Sequence, residues 1–350
     1  MTNQIPSGEP PLGALACPEP EDRPDLWPTT ARRTPDGELA LGGLTVSEIL
    51  ADAPSPVFVL DEADLRGRAA SWSAAMAEEF WSGYGLRGGE AFYAGKAFLT
   101  TQVARIVLQE GMGIDTASRV ELAVGLAGLE KVDGPEATTH ARRLGLHGNG
   151  KTPAEVTTAV RHRVGHLVID SPEEVDHAVA AVHELRRSGD FGADERARVM
   201  VRLTTGIHAG GHEYISTAHE DQKFGLSVST GAARRAIDAI VAADELELAG
   251  LHSHIGSQIL DMAGFREAVG VVLGLRHEIA VDTGHLCPEV DLGGGYGIAY
   301  TGADPVAPSP AQVARTLAEA VRETCERLGD EVPTVSIEPG RAVAGPTTVT

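Results

Sequence analysis

Apolar positions along the chain recur in two patterns that take turns. Short runs such as Ala91-Phe92-Tyr93-Ala94 and Val199-Met200-Val201 have the look of strands buried on both faces, and helix-length amphipathic segments separate them. Eight strands are predicted, at 91–94, 112–115, 144–147, 166–170, 198–203, 247–253, 288–292 and 333–337. A helix from Ser118 to Leu129 is expected to turn Val120, Leu122, Ala123 and Leu126 inward. Another, from Ser171 to Leu185, opens on Ser171-Pro172-Glu173-Glu174, where the serine can cap, the proline suits the first helical position and the glutamates favour the positive end. Strand and helix alternating eight times imply an α/β fold whose parallel strands close into a (β/α)8 TIM-type barrel, with an open doubly wound sheet as the structural alternative. The barrel is assigned to residues 57–338. Before it, a short strand and turn at 38–43 and a helix near Val46–Leu50 form an arm over residues 37–56, while residues 1–36, rich in Pro, Glu and Thr without sustained apolar periodicity, read as a flexible tail.

Composition narrows the function classes. A chain of 350 residues with 42% apolar content can bury a large core. Its 50 acidic residues outweigh 29 basic ones, and the net charge of -21 would repel phosphate backbones and anionic lipid, so neither nucleic acid nor a membrane is expected as a partner. Cys17, Cys287 and Cys325 lie too far apart for a disulfide framework or a Cys-x-x-Cys metal site, which fits a reducing cytoplasm. No basic start followed by an apolar run opens the chain, and no run approaches the roughly eighteen apolar residues of a membrane span.

The chemically able residues fall where a predicted strand hands over to its helix, the catalytic face of a barrel. Lys96 follows strand one directly; there it can lose solvation and lower its amine pKa, as a Schiff-base lysine requires, although a lone lysine could equally cap a strand at the surface. Asp115 ends strand two, His147 follows strand three and Arg202 lies on strand five. Gly293, Gly294 and Gly295 follow strand seven, where backbone N–H groups can reach an anion and Ser257 from the neighbouring loop could add a hydroxyl; a tight turn without a ligand is the plainer reading. A dinucleotide fingerprint is disfavoured because Ile298 stands where it needs a small residue. Glu338 leaves strand eight into Pro339-Gly340, a rigid turn that can aim a carboxylate inward, and Arg341 offers a fork for a carboxylate or a phosphate; a surface turn with an ion pair is the alternative. His252 and His254 sit two apart on strand six, but metal-dependent hydrolase barrels carry such a pair on strand one, so no metal is expected.

Taken in order, Tyr93-Ala94-Gly95-Lys96-Ala97, Gly113-Ile114-Asp115-Thr116-Ala117-Ser118, His252-Ser253-His254-Ile255-Gly256-Ser257-Gln258, Asp291-Leu292-Gly293-Gly294-Gly295 and Glu338-Pro339-Gly340-Arg341 resemble the pyridoxal-phosphate-dependent diaminopimelate, ornithine and arginine decarboxylase family, from about Pro56 onward. The resemblance implies that Lys96 bonds pyridoxal 5'-phosphate, His254 stacks on its ring, Glu338 engages the pyridine nitrogen, and Ser257 with Gly293–Gly295 holds the phosphate. Lys96, His254 and Glu338 would then be the catalytic set, with Asp115, Arg202, Pro339, Gly340 and Arg341 also at the cofactor, Glu121 in support, and Arg341 available to substrate. Leu146-His147-Gly148-Asn149-Gly150-Lys151, Gln258 and the loop from His212 to Gly225 are similar to the diaminopimelate branch, which releases lysine and carbon dioxide, rather than to the polyamine branch. A decarboxylase of ornithine, arginine or carboxynorspermidine, or a silent cofactor-binding homologue, is the competing expectation. The resemblance also implies a homodimer with active sites at its interface. It further implies a carboxyl-terminal β-domain, begun by residues 339–350 and joined by the arm, whose Cys-Glu pair and tyrosine complete the site.

Overall fold

The eight strands close on themselves. They are β1 (Gly89–Ala94), β2 (Gly113–Thr116), β3 (Leu144–Leu146), β4 (His166–Ile169), β5 (Ala197–Thr204), β6 (Leu246–Ser253), β7 (Glu289–Asp291) and β8 (Thr334–Ile337). Each is parallel to the next. The computed structural model describes residues 18–53, 55–81, 86–207 and 224–350. An open sheet is ruled out by the last pairing, in which Val335 of β8 lies opposite Gly89 of β1 and Ile337 opposite Ala91. The helices α1 (Glu62–Trp81), α2 (Thr101–Gln109), α3 (Arg119–Asp133), α4 (Pro153–Arg161), α5 (Pro172–Ser188), α6 (Ala232–Ala242), α7 (Ala263–Thr283) and α8 (Pro310–Leu328) surround them. Most of the apolar core lies between strands and helices, where Leu122, Leu144, Ile169, Val201 and Ile240 are fully buried.

Two helices differ from their sequence reading. In α3 the buried face is Leu122, Gly125, Gly128 and Leu129, so Val120 is 74% exposed and Ala123 also faces solvent. Val120 stands two residues before Leu122, about 200° round a helix of 3.6 residues per turn, and cannot share that face. In α5, Ser171 occupies the N-cap position but its hydroxyl makes no capping bond. Glu174 uses the helix start instead: its carboxylate accepts from the backbone of Lys151 (3.1 Å) and Asp170 (2.8 Å) and pairs with Lys151 Nζ at 2.7 Å. Lys151 Nζ also donates to the Gly148 carbonyl at 2.7 Å, so one buried ion pair pins the loops after β3 and β4.

The barrel's interior is unusually polar. His166 on β4 reaches across to Asp291 on β7 (Nδ1 to Oδ2, 3.5 Å) and lies tilted against Phe92 of β1 with ring centres 4.4 Å apart. Ser336 donates to Asp291 at 2.8 Å. Outside the barrel, Thr348–Val349 pairs antiparallel with Val59–Leu60, so the run at 57–60 belongs to a small separate sheet. Residues 18–36, which composition places in a tail, lie along the barrel: Arg23 donates to the carbonyl of Gly302 (2.6 Å) and Thr29 to Asp64 (3.0 Å). These ties are polar and distant in sequence, so apolar periodicity could not reveal them. Residues 1–17, and the loop motif at 212–223, lie outside the described residues. Among the described residues no helix is long and apolar enough to cross a membrane.

Glu174→Ala leaves Lys151 without its partner in a low-dielectric site, and should destabilise the fold by about 3–5 kcal/mol in urea denaturation. Burial pushes His166 down from 6.5 to about 3, so the folded state keeps it neutral while the unfolded chain takes up a proton. Its contribution is therefore present above pH 6.5 and lost as pH falls toward 3. Between pH 7 and pH 5, His166→Gln should lose about 2 kcal/mol less stability than the parent, at roughly 1.4 kcal/mol per pH unit below 6.5; parallel slopes would contradict this.

Candidate active site

At the carboxyl ends of the strands a cleft of about 830 Å³ opens, walled in part by Lys96, His254, Ser257, Gly294, Gly295 and Glu338, with Gly340 and Arg341 beside them. Phe58 and Phe98 stand exposed at its edge. Eight of the residues singled out in the sequence thus meet in one space. Asp115, Arg202, Gly293 and Pro339 are not among the residues that line it.

Lys96 sits on the single 3-10 turn Gly95–Ala97 that follows β1. Its side chain is 56% exposed, and Nζ lies 3.8 Å from Asp115 Oδ2. The desolvation expected from the sequence is therefore absent among the described residues, because the turn lifts the amine off the strand and into the open cleft.

Glu338 is the opposite case, only 3% exposed. Its backbone N–H donates to the Gly293 carbonyl (2.9 Å), and the next carbonyl, of Pro339, accepts from Ala94 N (3.3 Å), so the carboxylate is set by both the β7 loop and β1. Oε1 lies 3.1 Å from His147 Nε2 and 3.3 Å from His252 Nε2, yet none of these three atoms has a hydrogen-bonding partner among the described residues. Burial raises the Glu338 pKa, with Lys96 and Arg202 pulling the other way. Burial also raises that of Asp115, aided by Glu338, and lifts Asp291 to about 7. His252 is pushed down to about 3 by burial. The floor of the cleft is thus a dry cluster of acids and neutral rings, with Lys96 and Arg202 as cations acting on it among the described residues.

The glycine run is explained by close packing. A Cβ on Gly294 would lie 2.2 Å from the Glu338 carbonyl oxygen, and one on Gly295 would lie 2.3 Å from that of Gly256. Only glycine lets this loop thread between the ends of β6 and β8. Gly294 N–H donates to His254 Nδ1 at 3.3 Å, which ties the ring to the loop. Gln258 adds a second tie, accepting from Ile298 N at 3.2 Å.

Arg341 donates to Ser257 Oγ (3.2 Å) and to the Tyr300 hydroxyl, over whose ring it also lies. Tyr300 was missed by sequence reasoning; an aromatic residue shortly after a glycine loop was its only signal. Arg202 is engaged by Asp170 (3.6 Å) and covers the Phe224 ring at 4.8 Å. Glu121 accepts from Ala117 N (2.7 Å) at the start of α3, a helix-end role away from the cleft. His252 and His254 part company: His252 points into the barrel against His147, ring centres 4.9 Å apart, and His254 faces the cleft. As a group, His147, His252 and Glu338 place three potential ligand atoms within 4.8 Å of one another.

Comparison with known proteins matches this arrangement to one family. Residues 64–345 match the pyridoxal-dependent decarboxylase family, pyridoxal binding domain. The chain is 40% identical over 334 residues to the diaminopimelate decarboxylase of Mycobacterium tuberculosis, covering 93% of this chain and 68% of that protein. It is 41% identical over 327 residues to that of Corynebacterium efficiens, covering 93% of this chain and 65% of the relative. Among solved structures, diaminopimelate decarboxylase from M. jannaschii in complex with L-lysine superposes with a TM-score of 0.78 at 25% identity, over 92% of this chain and 68% of that one. A parallel barrel with a lysine, a buried glutamate and a glycine loop at one mouth, matched over this length, places the chain in the family of pyridoxal-dependent decarboxylases.

Proposed function

We propose that this protein decarboxylates meso-2,6-diaminopimelate to L-lysine, using pyridoxal 5'-phosphate held in the cleft. The observation that carries the reading is the buried, unpaired Glu338 Oε1 at the floor of a cleft that also presents the Lys96 amine. A buried carboxylate oxygen lacking a donor fits a ring that brings a protonated nitrogen. Gly294 and Gly295 let the cleft wall pack directly against the Glu338 and Gly256 backbone, and Arg341 with Ser257 offers a charged fork and a hydroxyl to an anionic group. The residues present therefore fit the cofactor.

When bound, pyridoxal phosphate supplies an electron sink for the carbon that loses carbon dioxide. Lys96, whose amine is exposed in the cleft, would be the residue that holds the cofactor's aldehyde carbon. Glu338 would hold a proton at the ring nitrogen and His254 would lie against the ring, while Asp115 stands 3.8 Å from the Lys96 amine. Arg341 serves either the phosphate or the substrate's distal carboxylate, and its contact with Ser257 supports the phosphate. We place the barrel unit within residues 57–338, with 37–56 and 339–350 in a β-domain that also takes in 59–60 through their pairing with 348–349. A cytoplasmic homodimer with a shared active site completes the proposal.

Lys96→Ala should abolish turnover more completely than cofactor binding, because the phosphate contacts remain; equal loss of both would contradict the role of the amine. Glu338→Gln should keep the fold and lower the decarboxylation rate about a hundredfold or more, the scale of roughly 3 kcal/mol of transition-state stabilisation. Carbon dioxide release from meso-diaminopimelate, L-ornithine and L-arginine at matched concentrations tests the substrate. A site built for a distal amine and carboxylate leaves charges unmatched with the other two, so diaminopimelate should be preferred. Faster release from ornithine or arginine would move the protein to the polyamine branch.

A further inference from the structure

The sequence singles out His147 within a motif but gives it no task, and the structure puts its ring between two acids. His147 Nε2 lies 3.3 Å from Asp115 Oδ1 and 3.1 Å from Glu338 Oε1. Asp115 in turn faces the Lys96 amine, so a line of side chains, Lys96, Asp115, His147, Glu338 and His252, runs beneath the cleft from the reactive amine to the buried glutamate.

The imidazole has little freedom to leave this position. Its backbone N–H donates to the Thr116 carbonyl at 2.7 Å. Gly148 follows with φ at +90°, where a Cβ would lie 2.8 Å from the Ala117 carbonyl oxygen, and the Gly148 carbonyl is gripped by Lys151, itself paired with Glu174. On another side the ring meets His252 edge-on, with centres 4.9 Å apart. Asp115 Oδ1, His147 Nε2, Glu338 Oε1 and both ring nitrogens of His252 are all buried without a hydrogen-bonding partner among the described residues, so the polar capacity of the cluster is not used up internally. That is the state expected of a floor built to receive a cationic N–H from a ligand.

We propose that His147 is a positioning residue that separates the Asp115 and Glu338 carboxylates and holds Glu338 in the orientation and charge state needed to receive the cofactor's ring nitrogen. The inference rests on the cofactor reading above. Two buried carboxylates brought together repel, and the pair relieves this by keeping a proton on one of them. The His147 ring nitrogen stands within 3.3 Å of one acid and 3.1 Å of the other, close enough for a small turn of the ring to present an N–H to whichever is ionised. The charged and titratable groups facing this unit are Lys96, Arg202, Glu121, His166, His252 and Asp291. Burial and the neighbours His252, Lys96, His166 and Arg202 all hold His147 itself neutral. Without the ring, Glu338 should keep its proton to higher pH and meet the ring nitrogen poorly.

The test is pyridoxal phosphate affinity, measured by fluorescence titration of unloaded protein between pH 6.5 and 8.5, for the parent, His147→Gln and His147→Leu. The leucine variant should bind at least about tenfold more weakly at pH 6.5 and recover toward the parent by pH 8.5, while glutamine, which keeps a donor of similar reach, should stay within about threefold throughout. A loss equal at every pH would reduce His147 to a packing role and overturn the proposal, as would leucine binding within about threefold of the parent at pH 6.5. If the leucine variant fails to fold, His147→Asn, too short to reach both acids, should show the same pH-weighted loss, and a flat profile there overturns the proposal equally. A parent protein that binds no pyridoxal phosphate would instead refute the cofactor reading itself.

Discussion

The pairing of the last barrel strand with the first decides what this protein can do. Lys96 and Glu338 lie near opposite ends of the described barrel in sequence, and the hydrogen bonds between β8 and β1 bring them to one cleft. The same junction continues past the strands, where Ala94 donates to Pro339 and Glu338 donates to Gly293. Three loops are thereby fixed relative to one another by backbone bonds alone, before any side chain contributes. The glycines after β7 are the condition for that closeness, because a methyl group on Gly294 would collide with the Glu338 carbonyl. Precision at the site is therefore a property of the barrel's closure, and the side chains inherit it.

The second governing feature is the uneven hydration of the two ends of the site. Lys96 stands in the open cleft, and Glu338 stands in the dry interior among His147, His252, Asp115 and Asp291. A carboxylate so placed gains much from a cationic partner and little from water, which makes it selective for a ligand that delivers a proton on nitrogen. An amine left accessible can be reached by both cofactor and substrate. Buried charge of this kind costs stability, and the Lys151–Glu174 pair shows the same fold using it to brace a loop.

Much of this was legible in the sequence, because the signals were local. Each of the eight strand predictions overlaps an observed strand, since buried parallel strands appear as short apolar runs bounded by turns. The cleft residues were found because they follow those runs directly. What the sequence hid was contact between distant residues. Nothing local shows that His252 faces inward while His254 faces the cleft, that Glu174 reaches Lys151, or that Arg341 rests on Tyr300. The exposed state of Lys96 was also hidden, because the direction of its turn is set by the loops around it.

We propose that Lys96 is where this chain holds its cofactor. The chain has four lysines, Lys96, Lys131, Lys151 and Lys223, which makes the claim sharply testable. The measurement is borohydride reduction of protein loaded with pyridoxal phosphate, followed by peptide mass mapping. One added cofactor mass is expected on the peptide carrying Lys96, and its loss in Lys96→Ala. Label confined to Lys131, Lys151 or Lys223, or label that survives in Lys96→Ala, would contradict it.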